Sequence, residues 1–326
     1  MDTILKLVGA ATLAVLSYKF IDAASLWLLP PISLSRYQQR SSAGKPTSWA
    51  LITGASAGIG LGCAVELALR GFSVILLGHK PSELEEAKAS ILAEASVEVK
   101  LLVLDATRAS ASEIDAALDS ISHLPLGVLV NNLGGMVVDP KKGWLHAVDE
   151  FSGQELDDSL ALSARFMMQA SRKLIPSLKQ HALEGTRTRS LIINISSFAH
   201  VGMPLLATYS GCKGFINAFT TSMARDFISK GVNVDAIVIV PGDVRSQSNT
   251  TAPPSAPDGR QFAKAIMNKV SRAVDKGWIE LAPIWSQAAG VWVIKAVLPE
   301  TLGRRALYGA ISEKRDIFLR SLTKED

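Results

Sequence analysis

Tyr209-Ser210-Gly211-Cys212-Lys213 sets a phenol and an ammonium group four residues apart. The length and composition of residues 207–223 predict a helix, which would project Tyr209 and Lys213 from one face, a turn apart. A free phenol, with a pKa of about 10, is a poor base at neutral pH. A nearby ammonium favours the phenolate and prepares it for proton transfer. Just upstream, Leu191-Ile192-Ile193-Asn194-Ile195-Ser196-Ser197 reads as a strand ending in two hydroxyls, either of which could hold a carbonyl oxygen beside the phenol. Strand neighbours face opposite ways, so only one of Ser196 and Ser197 can point into such a site. A tyrosine and a lysine at this spacing also occur on many solvated helix faces, and the pair gains meaning only beside a nucleotide site.

The sequence supplies one. Trp49-Ala50-Leu51-Ile52 reads as a short buried strand, followed by Thr53-Gly54-Ala55-Ser56-Ala57-Gly58-Ile59-Gly60 and a helical run to about Arg70. Glycines at a strand-to-helix turn let the backbone approach a pyrophosphate, which then meets free N–H groups and the positive end of the helix. The next strand, residues 72–77, ends in Gly78-His79-Lys80. An acidic side chain there would bond the ribose hydroxyls of NAD, whereas a basic one accommodates the extra phosphate of NADP; His79 and Lys80 therefore favour NADP(H). Pro81-Ser82-Glu83-Leu84-Glu85 is predicted to open a helix through a capping box between Ser82 and Glu85.

Taken together, these motifs resemble the short-chain dehydrogenase/reductases over about residues 47–250. Leu129-Val130-Asn131-Asn132-Leu133-Gly134 resembles that family's N-N-A-G strand end, with Leu133 in place of alanine, and Pro241-Gly242-Asp243-Val244-Arg245-Ser246 resembles its P-G-x-V-x-T stretch. The resemblance implies cofactor contacts at Thr53, Gly54, Ser56, Gly58, Ile59 and Gly60, at Asp105 beside the adenine, at Asn132 and Gly134, and at Pro241, Gly242, Val244 and Ser246 beside the nicotinamide. It further implies hydride transfer between nicotinamide C4 and a carbonyl carbon, with Tyr209 passing the proton and Lys213 holding the nicotinamide ribose. Matching the strand end favours Ser197 as the assisting serine, and counting thirteen residues back from Tyr209 gives Ser196. Ser163 falls where the family carries an asparagine that holds a water in the proton relay, and a serine reaches less far. The same layout, with an intact nucleotide loop and a weakened relay, would also suit a membrane-anchored sensor or scaffold that binds nucleotide without turnover.

Strand-like runs at 49–52, 73–77, 98–104, 127–131, 190–196 and 233–240, with helical runs between them, predict a doubly wound α/β domain (a Rossmann fold) with a parallel sheet covered on both faces. Ligands of such sheets bind beyond the carboxyl ends of the strands, where every motif above falls. With 326 residues, 48% hydrophobic and 20% charged, the chain can bury one large core, and its formal charge of +4 is scattered, which argues against a nucleic-acid partner. Cys63, Cys212 and five histidines offer no metal-ligand spacing, so a metal-free mechanism in a reducing compartment is expected. A homodimer is compatible with the fold.

Residues 1–40 read as a membrane anchor or an interfacial segment. Leu7 to Tyr18 and Ala23 to Leu34 are apolar around Lys19 and Asp22, and a spanning helix from Leu7 to Leu29 requires Lys19 to snorkel or to pair with Asp22. No basic leader with a small-residue cleavage site is evident. Arg36, Arg40 and Lys45 after the segment place the catalytic domain on the cytosolic side, with the endoplasmic reticulum as the expected membrane. Residues 251–326 are expected to cover the substrate. Residues 246–260, rich in proline, predict a mobile loop, and Trp278, Trp285 and Trp292 recur every seven residues. That recurrence fits an amphipathic helix on the core, or an apolar surface for a greasy substrate or a bilayer. The whole is similar to the membrane-bound branch of the family with 17β-hydroxysteroid dehydrogenases and very-long-chain 3-oxoacyl-CoA reductases. An apolar ketone or acyl substrate is expected.

Overall fold

Apolar side chains alternate along the central strands, so each strand feeds two cores. Ala50, Ile52, Val74, Leu76, Val128, Val130, Leu191, Ile193, Ile237 and Ile239 face one layer of helices, while Leu51, Ile75, Leu77, Leu129 and Ile192 face the other. The computed structural model describes residues 2–136, 144–183, 188–247 and 249–322. Its strands β1 (Trp49–Thr53), β2 (Ser73–Gly78), β3 (Val99–Val103), β4 (Leu126–Asn131), β5 (Ser190–Ile195), β6 (Val234–Ile239) and β7 (Glu280–Leu281) form one parallel sheet in the order β3-β2-β1-β4-β5-β6-β7. The order reverses between β1 and β4, and this is the crevice where doubly wound sheets take ligands.

An N-terminal helix α1 (Asp2–Leu28) precedes the sheet. Helices α2 (Gly58–Ala68) and α3 (Pro81–Leu92) follow the first two strands, then α4 (Ala111–Asp119), α5 (Gly153–Leu160), α6 (Phe166–Leu183) and α7 (Ala207–Ser229). Beyond β6 come α8 (Gly259–Asp275), α9 (Trp285–Trp292) and α10 (Glu300–Leu322). Helix α8 packs on α2 so closely that a β-carbon at Gly62 would lie 2.5 Å from the Gly259 carbonyl oxygen. Within residues 251–326, α8 and β7 thus complete the sheet layers, and α9 and α10 lie beyond them.

Several local expectations are corrected. Helix α3 begins with Pro81 at its first position and Lys80 as its N-cap, without a side-chain cap; the fixed φ of proline, which suits a first helical residue, places Ser82 inside the helix rather than at its cap. The tryptophan heptad is not one helix. Gly277, with φ +72°, ends α8 through the bonds Gly277 N–H to Val274 O and Trp278 N–H to Ala273 O, and Trp278 packs on the core. Glu280–Leu281 then joins the sheet, and only Trp285 and Trp292 share a helix. The loop after β6 is tied at its base, where Arg245 donates from N–H to Pro257 O (2.9 Å) and from Nε to Ala256 O (2.8 Å). Asp258 and Gln261 then cap α8 reciprocally. Residue 248 of that loop and residues 323–326 of the extension lie outside the described residues.

The last turns of α1 dock on the domain. Leu26 is buried, Trp27 Nε1 donates to Pro283 O at 3.2 Å, and Asp22 pairs with Lys276 rather than with Lys19. Downstream, the buried Tyr37 donates its hydroxyl to Asp235 (2.9 Å), which also pairs with Arg189. The rest of α1 is exposed, and among the described residues it is the one helix long and apolar enough to cross a membrane.

Candidate active site

Thr53, at the end of β1, fixes the first wall of the site. Its Oγ1 accepts the N–H groups of Asn132 (3.0 Å) and Leu133 (2.9 Å), tying β1 to the end of β4, and Asn132 Nδ2 donates back to the carbonyls of Thr53 and Gly54, both at 3.1 Å. Gly54 has φ +64°, and a β-carbon at Gly60 would lie 2.0 Å from the Gly54 carbonyl oxygen, so neither position tolerates a side chain. Ala57 leaves the N-terminus of α2 without a side-chain cap. The first-turn donors around Ile59 and Gly60 therefore remain available to an anion, and with no β-carbon in the way the loop fits a dinucleotide pyrophosphate.

At the end of β2, His79 and Lys80 are exposed, and Lys80 Nζ donates to Glu83 at 2.7 Å. The Glu83 carboxyl is held below its ordinary range by the hydrogen bond from Lys80 and then by one from Ser56. Ser56, Lys80 and Glu83 thus meet at the mouth of the glycine loop. Glu83 was not among the sequence candidates, although its i,i+3 relation to Lys80 on a helix start was there to read. Asp105, exposed at the end of β3, accepts the Thr107 N–H at 2.9 Å.

The second wall comes from β5 and α7. Lys213 is 3% exposed; its Nζ donates to Ile195 O at 2.9 Å and lies 5.4 Å from the centre of the Tyr209 ring. Ser197 and Ser196 diverge, as alternation along a strand demands. The Ser197 hydroxyl accepts the Ala199 N–H at 3.1 Å and lies beside the Tyr209 phenol, whereas the buried Ser196 hydroxyl donates to Lys213 O at 3.1 Å. The structure therefore brings Ser197 to Tyr209 and turns Ser196 away.

The electrostatics differ from the sequence expectation. Burial pushes the Tyr209 phenol above its ordinary pKa, and the neighbouring Ser197 hydroxyl offsets only part of that. The Lys213 amine is engaged with Ile195 O, and burial pushes it down to about 8. In this geometry the phenol is protonated at neutral pH and suited to give a proton. Lowering Lys213 from 10.5 to about 8 costs about 3 kcal/mol. Between those values this lysine holds a proton in the unfolded chain that it lacks in the folded one, so its contribution to stability without nucleotide rises with pH from about 8 to 10.5. Because the buried Cys63 and Cys212 thiols, pushed up by burial, act in the opposite sense above about 9, the test is the difference in thermal unfolding between the nucleotide-free wild type and Lys213→Met, which should shift in favour of the wild type as pH rises across this range. A difference between the two proteins that does not change with pH would contradict the assignment.

Ser163 lies in a π-helical turn, Ala161–Arg165, between α5 and α6, a form of bulge frequent at functional sites. Its hydroxyl donates to Gly135 O at 2.9 Å and accepts the Gly135 N–H at 3.3 Å. A β-carbon on Gly134 would lie 3.4 Å from Lys213 Nζ and 3.6 Å from Ser163 Oγ, so these three positions converge. Asn131 and Asn194 instead brace the interior: Asn131 Nδ2 donates to Asn194 Oδ1 (2.8 Å) and Ser171 Oγ (3.1 Å), and Asn194 Nδ2 to Thr220 Oγ1 (2.7 Å).

The third wall is Pro241–Ser246. Pro241 O accepts the Phe198 N–H at 2.8 Å, Val244 is buried, and the Ser246 β-carbon lies 3.3 Å from where one would stand on Gly58. Two residues distant in sequence hold this segment. Gln287 accepts the Gly242 N–H at 3.0 Å and donates to Asp243 O at 2.8 Å, and Lys314 pairs with Asp243. Neither was legible in the sequence, because no spacing rule relates residues more than forty apart.

The chain matches the short chain dehydrogenase family over residues 48–256 and belongs to that family of oxidoreductases. It is 31% identical to a very-long-chain 3-oxoacyl-CoA reductase of Caenorhabditis elegans, with 82% of each chain covered. It is also 29% identical to one of Scheffersomyces stipitis, over 81% of this chain and 74% of that one. Among solved structures it resembles a 7β-hydroxysteroid dehydrogenase (TM-score 0.66, 18% identity, 85% of this chain and 99% of that one). A short-chain dehydrogenase from Sphingobium yanoikuyae solved with NADPH has the same fold (TM-score 0.60, 20% identity, 74% of this chain and 92% of that one).

Proposed function

We propose that this protein is a membrane-anchored, NADP(H)-dependent reductase of an apolar ketone, such as a 3-oxoacyl thioester or a steroid-like carbonyl. The observation that carries the reading is the placement of Ser197 beside the Tyr209 phenol, with the buried Lys213 amine 5.4 Å from the centre of that ring, at the same strand-end crevice as the Gly54–Gly60 loop. The loop and the α2 N-terminus would hold the pyrophosphate, Lys80 and Ser56 the 2′-phosphate, and the Pro241–Ser246 segment the nicotinamide. When bound, the nicotinamide supplies the hydride. Ser197 and Tyr209 hold the carbonyl oxygen, Tyr209 gives it the proton, and Lys213 with Ser163 beside it returns the proton to the phenol. A very-long-chain 3-oxoacyl-CoA name on the relatives supports an acyl substrate, and the NADPH complex of a structural neighbour supports the cofactor. The exposed part of α1, roughly 20 residues from Asp2 to Ile21, is about 30 Å long and matches a bilayer core. The charges at Arg36, Arg40 and Lys45 support a cytosolic domain.

Fluorescence titration of the purified protein is expected to give NADPH the tighter binding by about 10- to 100-fold over NADH, the worth of one charge-assisted contact. Lys80→Asp should close the gap. Equal affinities in the wild type would overturn the NADP assignment.

A further inference from the structure

Helix α9 is two-faced in an unusual sense. Its inner face carries Gln287, half-buried against Gly242 and Asp243. Its outer face carries Trp285, Ala289, Trp292 and, through the π-helical turn Val293–Val297, Ala296; these positions are four, three and four residues apart and all are exposed. Val293 and Val297 flank the stripe, and Trp285 and Trp292 stand 68% and 63% exposed. Single exposed apolar residues are ordinary, but a contiguous apolar stripe that includes two indoles is a contact surface.

The occupant is indicated by what lies next to it. Pro283, which accepts the Trp27 indole N–H from the last turn of α1, is two residues ahead of Trp285. The stripe therefore begins where the candidate spanning helix meets the domain. Tryptophan is the side chain enriched at the bilayer–water boundary, and an amphipathic helix lying flat there buries its apolar face among headgroups and upper acyl chains. We propose that Trp285–Val297 is a second lipid-contact surface, its tryptophans seated in the headgroup region of the bilayer that holds α1. This rests on the reading of α1 as an anchor. Because Gln287 grips the Pro241–Val244 segment from the opposite face, lipid on one side of α9 sets the height of the site above the membrane.

The test uses the full chain in phosphatidylcholine–phosphatidylserine vesicles whose acyl chains carry bromine at a shallow position. Tryptophan emission should be quenched, and the quenched fraction should fall by roughly half in W285F/W292F, since two of the lipid-facing indoles are gone. Trp→Phe at exposed positions preserves apolar area, and the two single variants give the same comparison if the double variant folds poorly. An unchanged quenched fraction, with aqueous iodide reaching Trp285 and Trp292, would overturn the proposal. Alkaline carbonate extraction of the same vesicles reads α1 separately. Release of the protein there would remove the anchor and overturn the proposal as stated, while turnover on a water-soluble ketone reports the catalytic reading independently of both.

Discussion

Tyr209→Phe is expected to lower turnover by about 10²- to 10⁴-fold, the usual worth of a positioned general acid, while NADPH affinity stays near the wild-type value. The phenylalanine keeps the ring that packs above Lys213 and removes only the hydroxyl beside Ser197. The loss should therefore fall on kcat rather than on binding. Ser197→Ala should follow with a smaller fall in kcat. Ser196→Ala should act mainly on stability, because its hydroxyl bonds the Lys213 carbonyl inside the fold. Steady-state kinetics on the three variants, with cofactor titration alongside, check this. Wild-type kcat in Tyr209→Phe would remove the tyrosine from proton transfer, and a larger fall in Ser196→Ala than in Ser197→Ala would reverse the serine assignment.

Gly60→Ala is the second large effect. Its methyl would lie 2.0 Å from Gly54 O and 2.6 Å from Asn132 Nδ2. Those atoms belong to the bonded turn that joins β1 to β4 and cannot retreat without breaking the Asn132 bonds. Overpacking of this kind costs about 1–3 kcal/mol or more, and the displaced backbone no longer presents its N–H groups to a pyrophosphate. NADPH binding should be lost and the unfolding midpoint lowered. Gly309→Ala, on α10 with nothing within 4 Å of its new carbon, should be neutral or slightly stabilising. If Gly60→Ala binds NADPH normally, the loop is not the pyrophosphate cradle.

The sheet could be read in advance because short apolar runs between glycine-rich turns are a property of neighbouring residues, and because each turn falls at a strand's carboxyl end. The Tyr209–Lys213 pair was legible for the same reason, as one helix face fixes its geometry. What was not legible depends on tertiary partners. Asp22 could choose Lys19 by sequence proximity, yet Lys276 lies against it in the fold. The tryptophan period of seven promised a helix until the positive φ of Gly277 and the pairing of Glu280–Leu281 with β6 broke it. The phenol was expected to be acidified by its neighbouring ammonium. Burial, which no local pattern reveals, outweighs that and pushes both groups toward their neutral forms.

The most direct measurement is NADPH oxidation by the full chain in membranes, followed at 340 nm, with carbonyl substrates graded from short and polar to long and apolar and including a 3-oxoacyl-CoA series. Turnover is expected to rise with the apolar length of the substrate and to disappear in Tyr209→Phe. Oxidation confined to small polar carbonyls, or none with any carbonyl despite tight NADPH binding, would contradict it.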